Sequence, residues 1–237
     1  MRLLALETSA KAASVALLCD GVLMAEYYQN SGQTHSRTVM KMAQDLLENC
    51  GLTAEQIDAV AYANGPGSFT GIRIGAAAAK GFCWGGELPC APVSTLESMA
   101  WQLGPRDGVI CCCMDARRAQ VYNALFRYAG EAPERLCPDR AISLEELAKE
   151  LERFGEPILL VGDGAQLCFD TLHTRLPALR LSPEHLRQQR AGGVALAGWK
   201  CWQDGALVSA RGPAPQYLRL SQAERERQER LGLTTNK

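Results

Sequence analysis

An Asp-Gly dipeptide at residues 20–21 separates two apolar runs, SVALLC and VLMAEYY, and this pattern strongly constrains the fold. Asp-Gly between apolar runs is typical of a β-hairpin, because both residues accept the positive φ that a tight turn requires. The run RLLALE at residues 2–7 precedes the hairpin and is typical of a strand, and ETSAKAA after it indicates a turn. The chain is therefore predicted to open with three successive antiparallel strands.

The rest of the first hundred residues alternates between helix and strand patterns. Residues 34–49 carry apolar side chains at helical spacing, and Gly51 is placed to end that helix. Ser94 and Glu97 have the spacing of a capping box, which predicts a helix from there to about Leu103. Between these helices the sequence predicts a strand at 58–63, a helix from the loop at 64–75 to about residue 84, and a strand at 87–92.

A shorter version of this pattern follows the segment GPRDG at 104–108, which indicates a boundary. We interpret the second half as an echo of the first, as in a duplicated domain. The expected fold class is α/β, with mixed sheets flanked by helices. The predicted elements are strands at 109–114, 119–128 and 157–162, a helix opened by the capping box of Ser143 and Glu146, and a long helix at 184–203.

These elements predict a division of the chain into three parts. The first lobe comprises residues 1–105 and carries the expected partner interface. The second, shorter lobe comprises residues 106–220, and its last helix is expected to pack back on the first lobe. Residues 221–237 are highly polar, contain the run ERERQER, and are interpreted as a tail without assigned function.

Composition excludes several classes of protein. The 237 residues carry a net charge of −1, so no overall field draws the chain to nucleic acid or to an anionic membrane. No run of 18 apolar residues occurs, and Glu7 interrupts the short apolar start, so we expect no membrane span, no signal peptide and a cytoplasmic protein. Ten cysteines occur without a C-x-x-C pair, and those at 111–113 alternate between the faces of a strand, so they are interpreted as reduced core residues and not as metal ligands.

The stretch NGPGSFTGIRIG at 64–75 leads from a predicted strand into a helix and has two interpretations. Its hydroxyls and its backbone N–H groups at a helix N-terminus are able to hold a phosphate. It has neither the GxGxxG nor the Walker A pattern, and the alternative is a tight turn that lets the helix pack closely on a sheet. The residues that would contact a phosphate are Thr8, Ser9, Gly65, Gly67, Ser68 and Thr70.

Several segments together resemble one family. The first strand, ending in Glu7-Thr8-Ser9 before a hairpin, resembles the first phosphate loop of the actin-like, Hsp70-like and sugar-kinase ATPase fold. The segments LALETSAKAASVAL, THSRTVM, AYANGPGSFTGIRIG, STLESMA, MDARRAQVY and PQYLR resemble the TsaB (YeaZ-like) family, over residues 1 to about 220. The resemblance implies a two-lobed actin-like (ribonuclease H-like) fold with a reduced second lobe. It also implies a non-catalytic accessory subunit for making threonylcarbamoyladenosine at position 37 of tRNAs that read ANN codons.

The resemblance further implies partners. These are TsaD, which carries the catalytic site, the ATPase TsaE, and a second copy of the chain when it is alone, with tRNA reached only through the complex. No cofactor is expected to be required by this chain, and ATP or ADP is expected at most within the complex. In MDARRAQVY a fixed polar network near the cleft is implied, with Arg117 as a candidate contact to a ligand or partner.

The expected partner interface includes a stripe of small residues on the second helix. Small residues four positions apart let another backbone approach closely, and that backbone belongs either to the protein's own sheet or to another subunit. The resemblance favours the subunit, so Gly75→Leu is predicted to abolish pairing with TsaD and to leave the fold largely intact. The interface residues are His35, Thr38, Val39, Met42, Gly71, Arg73, Gly75 and Ala79.

Two alternatives with catalytic activity remain to be weighed. The catalytic relative holds a metal with His-x-x-x-His on a helix, but here Val39 follows His35 by four residues, and an aliphatic side chain cannot ligate a metal. This argues against a metalloprotease. A small-molecule kinase or ATPase of the same fold would need a second phosphate loop, for which VGDGA at 161–165 is the candidate, although Asp-Gly after a strand is more often a plain turn.

Overall fold

A computed structural model describes residues 1–212, 214–219 and 230 of the chain. The predicted tail at 221–237 lies outside the described residues except for Arg230. The first half contains β1 (Arg2–Glu7), β2 (Ala13–Cys19), β3 (Val22–Gln29), α1 (His35–Asn49), β4 (Ala59–Ala63), α2 (Phe69–Gly86), β5 (Cys90–Val93) and α3 (Thr95–Leu103). The second half contains β6 (Val109–Asp115), β7 (Gln120–Tyr128), β8 (Pro133–Arg135), β9 (Arg140–Ser143), α4 (Leu144–Leu151), β10 (Ile158–Val161), α5 (Ala165–Leu172), β11 (Leu179–Leu181), α6 (Glu184–Arg187) and α7 (Ala191–Gln203).

The two sheets have the same strand order. In the first sheet the order is β3-β2-β1-β4-β5, with β1, β2 and β3 antiparallel and with β4 and β5 parallel to β1. In the second sheet β7 pairs with β6 antiparallel, whereas β10 and β11 continue in parallel from the other side of β6. The strand order of the second sheet therefore repeats that of the first, as the sequence pattern predicted.

The opening hairpin forms as the sequence predicts. Asp20 and Gly21 have φ values of +49° and +83°, which is the left-handed region that a two-residue hairpin turn needs. β1 pairs with β2 along its whole length, from Arg2 opposite Cys19 to Glu7 opposite Ser14. Because β4 pairs with the other side of β1, β1 lies in the middle of the sheet, and the chain leaves its carboxyl end there.

The last helix covers the first sheet. α7 packs against β1, β2, β4 and β5, and a Cβ on Gly198 would lie 2.5 Å from the Ala61 Cβ, so a glycine is needed for this approach. Glu26 on β3 fixes the start of the helix, because its carboxylate accepts from Gly192 N at 2.8 Å and from Arg190 Nε at 2.9 Å. The predicted single helix at 184–203 is wrong, because extended residues up to Arg190 separate α6 from α7.

We define the first lobe as the first sheet with α1, α2 and α7, and the second lobe as the second sheet with α3, α4 and α5. α3 packs on β6 and β7 of the second lobe and also on α7 of the first, and the predicted boundary at residue 105 assigns it to the first part of the chain. Ser94 caps α3, but Glu97 pairs with Arg135 at 2.9 Å and does not complete the predicted capping box. The box of Ser143 and Glu146 on α4 is confirmed.

The three consecutive cysteines alternate between two cores of the second lobe. Cys111 and Cys113 face α4 and α5, with their Sγ atoms 3.5 Å apart, whereas Cys112 faces α3. All ten cysteines are free thiols. The prediction that these three side chains do not converge is confirmed. In the described part of the chain, no helix is long and apolar enough to cross a membrane.

Candidate functional site

A cleft of about 730 Å³ lies between the two lobes. The strands β1, β4, β6 and β10 end at this side of the molecule, and the loops that follow them line the cleft. The carboxyl ends of parallel strands are the usual position of ligand sites in α/β proteins. The lining residues include Ser9 and Lys11 after β1, 66–70 after β4, 114–117 after β6, Asp163 after β10, and 216–219.

The loop before α2 is held against the loop after β1. Ser68 N donates to Ser9 O at 2.7 Å, and a Cβ on Gly67 would lie 2.5 Å from the same oxygen. The Ser68 hydroxyl caps the helix by accepting from Gly71 N at 3.3 Å. Gly67, Ser68 and the exposed Thr70 line the cleft, as the phosphate interpretation requires.

The other predicted phosphate contacts differ in position. Thr8 is buried and donates its hydroxyl to Gly71 O at 2.8 Å, so it holds α2 instead of facing the cleft. Gly65 is buried under the backbone of Gln216, which its Cβ would overlap. Thr8 and Gly65 are therefore removed from the predicted set. Ser9 remains in it, because its buried hydroxyl lines the cleft and has no hydrogen-bond partner among the described residues.

The small-residue stripe on α2 faces the protein's own first lobe. A Cβ on Gly71 would overlap the Thr8 carbonyl oxygen, and a Cβ on Gly75 would overlap Thr8 Oγ1. Ala79 is fully buried in the core beneath α2. The prediction that these three residues contact a partner is wrong, because Thr8 in the loop after β1 fills the space beside Gly71 and Gly75, and Ala79 lies in the core.

Two of the predicted interface residues on α1 are also core residues. Val39 and Met42 are 1% and 9% exposed and pack against the first sheet. They are corrected from interface to core, because helical spacing turns both side chains inward. His35 and Thr38 are half-buried, and His35 Nε2 lies 2.8 Å from Ala10 O.

Among the residues the structure describes, Arg73 is the one predicted interface residue on α2 that is exposed. Its guanidinium lies 3.8 Å from the centre of the Phe69 ring, and its Nε donates to the Tyr217 hydroxyl at 2.8 Å. The Phe69 and Tyr217 rings are 4.7 Å apart. Arg73 therefore joins α2 to the segment at 214–219, which lines the cleft.

One carboxylate, that of Asp163, lines the cleft, and a second, that of Glu7, is buried behind Ser9. Glu7 is fully buried, and its Oε1 accepts from Ser9 N at 2.5 Å, while its Oε2 has no partner among the described residues. Burial raises the pKa of Glu7 from 4.5 to about 7. Burial also raises the pKa of Asp163, which accepts from Gln189 Nε2 at 2.8 Å. When these two carboxylates are ionised, their negative charge disfavours a bare phosphate in the cleft.

The turn after β6 places arginines at the rim. Arg117, Arg118 and Ala119 have φ values of +65°, +56° and +55°, a run of left-handed backbone without glycine. Asp115 holds the turn by accepting from Arg117 N at 2.7 Å. Arg117 lines the cleft, so the sequence prediction of a polar network here agrees with its position.

The candidate second phosphate loop is packed against β6. A Cβ on Gly162 would overlap the Cys113 carbonyl oxygen, and one on Gly164 would lie 2.8 Å from the Met114 carbonyl carbon. Gly162 N donates to Arg187 O at 2.7 Å. Backbone of the chain itself therefore occupies the space around these two glycines that a phosphate cradle would leave open.

The segment at 214–219 is the part of the site that the sequence analysis missed. Its Gln216, Tyr217 and Arg219 line the cleft, although PQYLR carried only a family resemblance and no positional signal. Their partners lie about 100 to 150 positions earlier in the chain. Neither periodicity nor turn chemistry encodes contacts at such a separation.

Comparison with known proteins agrees with this geometry. Residues 28–226 match the family model described as TsaD: tRNA N6-adenosine threonylcarbamoyltransferase. The tRNA threonylcarbamoyladenosine biosynthesis protein TsaB of Bacillus subtilis (strain 168) is 32% identical over 228 residues, which cover 94% of this chain and 96% of that protein. A crystal structure from Pseudomonas aeruginosa, described as an uncharacterized protein with similarity to peptidase YeaZ, has a TM-score of 0.76 at 27% identity and covers 92% of this chain and 99% of its own.

A more distant structure bears on the fold alone. Component A of the (R)-2-hydroxyglutaryl-CoA dehydratase of Acidaminococcus fermentans has a TM-score of 0.50 at 13% identity, covering 84% of this chain and 98% of its own. Two sheets of equal strand order that enclose a cleft are the arrangement of the two-lobed actin-like ATPase fold, and that is the fold class of this protein. Within that class, the chain belongs to the TsaB family.

Proposed function

We propose that this chain is a non-catalytic scaffold subunit of the complex that transfers threonylcarbamoyl to adenosine 37 of tRNAs reading ANN codons. In this proposal it binds and activates the catalytic subunit TsaD. The observation that carries it is the environment of His35, whose Nε2 lies 2.8 Å from the Ala10 carbonyl oxygen. One turn further, Val39 occupies the position of the second histidine in the catalytic relative and is buried in the core.

The proposed assembly has further members. TsaE supplies the ATPase, a second copy pairs with the chain when TsaD is missing, and tRNA is held by the complex in the cytoplasm. The net charge of −1 supports the proposal that the complex, and not this chain alone, holds tRNA, because such a chain has no overall attraction for nucleic acid. The chain itself needs no cofactor, and ATP or ADP enters only within the complex. The packed loop at 162–164 supports this assignment.

The proposed docking surface is the outer face of the first lobe's two neighbouring helices. We define the α1–α2 face by the exposed residues Arg37, Met40, Arg73 and Ala77, together with the half-buried Thr38. Met40 is 41% exposed and gives this face a large apolar side chain that a partner could cover. α1 and α2 pack against each other, and in this proposal their exposed residues form one docking surface.

Transfer activity tests the scaffold role. Purified TsaD and TsaE, supplied with threonylcarbamoyl-adenylate and tRNA, are expected to modify tRNA only when this chain is added. The chain by itself is expected to give no product and no steady ATP hydrolysis. Turnover by the chain alone near about 1 s⁻¹, which is ordinary for an enzyme, would contradict the proposal.

A charge on the α1–α2 face tests the docking surface. Met40→Asp is expected to weaken the affinity for TsaD about tenfold or more, because a carboxylate replaces an apolar anchor at the interface. The matched control is Leu167→Asp on α5, which replaces an apolar side chain of similar exposure, 38%, on the second lobe. Binding measured by calorimetry should separate the two variants. If Met40→Asp and Leu167→Asp bind TsaD with equal affinity, the interface lies elsewhere.

A further inference from the structure

We infer that residues 214–219 act as a strap that ties the two lobes together and closes the cleft between them. On the first lobe, Gln216 N donates to Asn64 O at 2.8 Å, and Asn64 Nδ2 donates to Ala214 O at 3.4 Å. On the second lobe, Arg219 Nη1 donates to Ala116 O at 2.7 Å. Six consecutive residues therefore bond to both lobes.

The strap divides one space into two. The cleft of about 730 Å³ has a neighbour of about 620 Å³, and Gln216, Tyr217 and Leu218 line both of them. The far cavity is otherwise bounded by residues of both lobes, including Asn64 on one side and Asp139 on the other. Without the strap the two cavities are a single cleft that runs between the lobes.

The strap fits a seat that the first lobe provides. A Cβ on Gly65 would overlap Gln216 O, so a glycine at this position permits the close approach. The Tyr217 ring packs against the Phe69 ring in a tilted arrangement with 4.7 Å between the ring centres, and its hydroxyl accepts from Arg73. The residues of the seat lie together at 64–73, about 140 to 150 positions before the strap, and such a fit is not expected of an incidental contact.

The strap is also held in a way that permits release. Gln216 and Tyr217 are exposed on their outer side, and the anchors are a few hydrogen bonds and one ring contact, not a buried apolar cluster. Segments held by few and partly exposed hydrogen bonds open at a small fraction of the global unfolding free energy. Release would join the cavities and remove one connection between the lobes.

Hydrogen exchange in the full-length chain tests the strap. Arg219→Ala removes the anchor on the second lobe, and Tyr217→Ala removes the ring contact on the first. Each variant is expected to speed amide exchange about fivefold, the factor that corresponds to the loss of one hydrogen bond. The faster exchange is expected in the strap and also in the lobe whose own anchor is left intact. For Arg219→Ala the reporter is Asn64 N, which donates to Val93 O, and for Tyr217→Ala it is Ala116 N, which donates to Gln120 O.

The control is Arg211→Ala, an arginine that lies over Trp84 outside the cleft, and it should leave both reporters unchanged. Exchange of the amides in β1 and β6 reports global unfolding. If Arg219→Ala speeds exchange there, that variant has lost global stability, and Tyr217→Ala alone tests whether the strap ties the lobes together. Faster exchange in 214–219 with unchanged reporters in the opposite lobe would overturn the inference, because the segment would then be a surface tail that ties nothing together.

Discussion

Replacing Gly75 by leucine is expected to lower the free energy of unfolding by about 3 kcal/mol, a cost at the upper end for overpacking a core. The reason is local. A Cβ at this position overlaps Thr8 Oγ1, and Thr8 is buried with its hydroxyl donating to Gly71 O at 2.8 Å. The added side chain must push the loop after β1 away from α2 or break that hydrogen bond. Either response disturbs the seam between the first sheet and the helix.

Thermal unfolding followed by calorimetry measures this effect. For a chain of this length, a loss of about 3 kcal/mol corresponds to a fall in Tm of about 10 °C. Gly81→Leu on the same helix is the matched control, since a Cβ there meets no described atom within 4 Å. That variant should be as stable as the parent or slightly more stable, because glycine is a poor helix residue.

The same experiment tests the sequence-based expectation that Gly75→Leu leaves the fold largely intact. We expect weaker pairing with TsaD only as a consequence of the lost stability. If the variant unfolds at the parent's temperature and fails to bind TsaD, the close contact with Thr8 is wrong and the stripe belongs to the interface after all.

Glu7→Gln is expected to raise the free energy of unfolding by up to about 3 kcal/mol at pH values above 7. Glu7 has a pKa of about 7 in the folded protein against 4.5 for its ordinary value, because it is fully buried. The folded state therefore keeps a proton that the unfolded chain releases. The contribution of Glu7 to stability falls as the pH rises from about 4.5 to about 7, and it stays low above that range.

Glutamine removes this dependence, and its amide oxygen is able to keep the hydrogen bond from Ser9 N. Urea unfolding between pH 5 and pH 8.5 measures the effect for the parent, for Glu7→Gln and for the exposed control Glu134→Gln. The slope that remains in Glu7→Gln is assigned in part to Asp163, whose pKa is raised in the same direction. Parallel profiles for parent and Glu7→Gln would mean that Glu7 is solvated in solution.

The elements that the sequence predicted best are those set by local chemistry. The Asp20-Gly21 turn, the helix after Thr34 and the cap at Ser143 depend on residues within four positions of one another. The short strands β8, β9 and β11 and the eight-residue α5 were missed. Each is too short to display a period, and each is stabilised by pairing or packing with distant segments.

For the candidate site the prediction was partly right. The sequence identified the loop at 64–75 and the glycines on α2, and the family resemblance assigned these glycines to a subunit interface. The structure decides for the loop after β1, because Thr8 fills the space beside Gly71 and Gly75. It retains Ser9, Gly67, Ser68 and Thr70 at the cleft and withdraws Thr8 and Gly65.

The sequence by itself determined the α/β pattern, the repeated strand order, the family and the missing second histidine after His35. Each of these depends on residue type and spacing along the chain, which a single sequence contains in full. Only the tertiary structure decided which face of α2 is buried and that residues 214–219 cross the cleft. These depend on contacts between segments about 60 to 150 residues apart, where packing and not local propensity selects the partner.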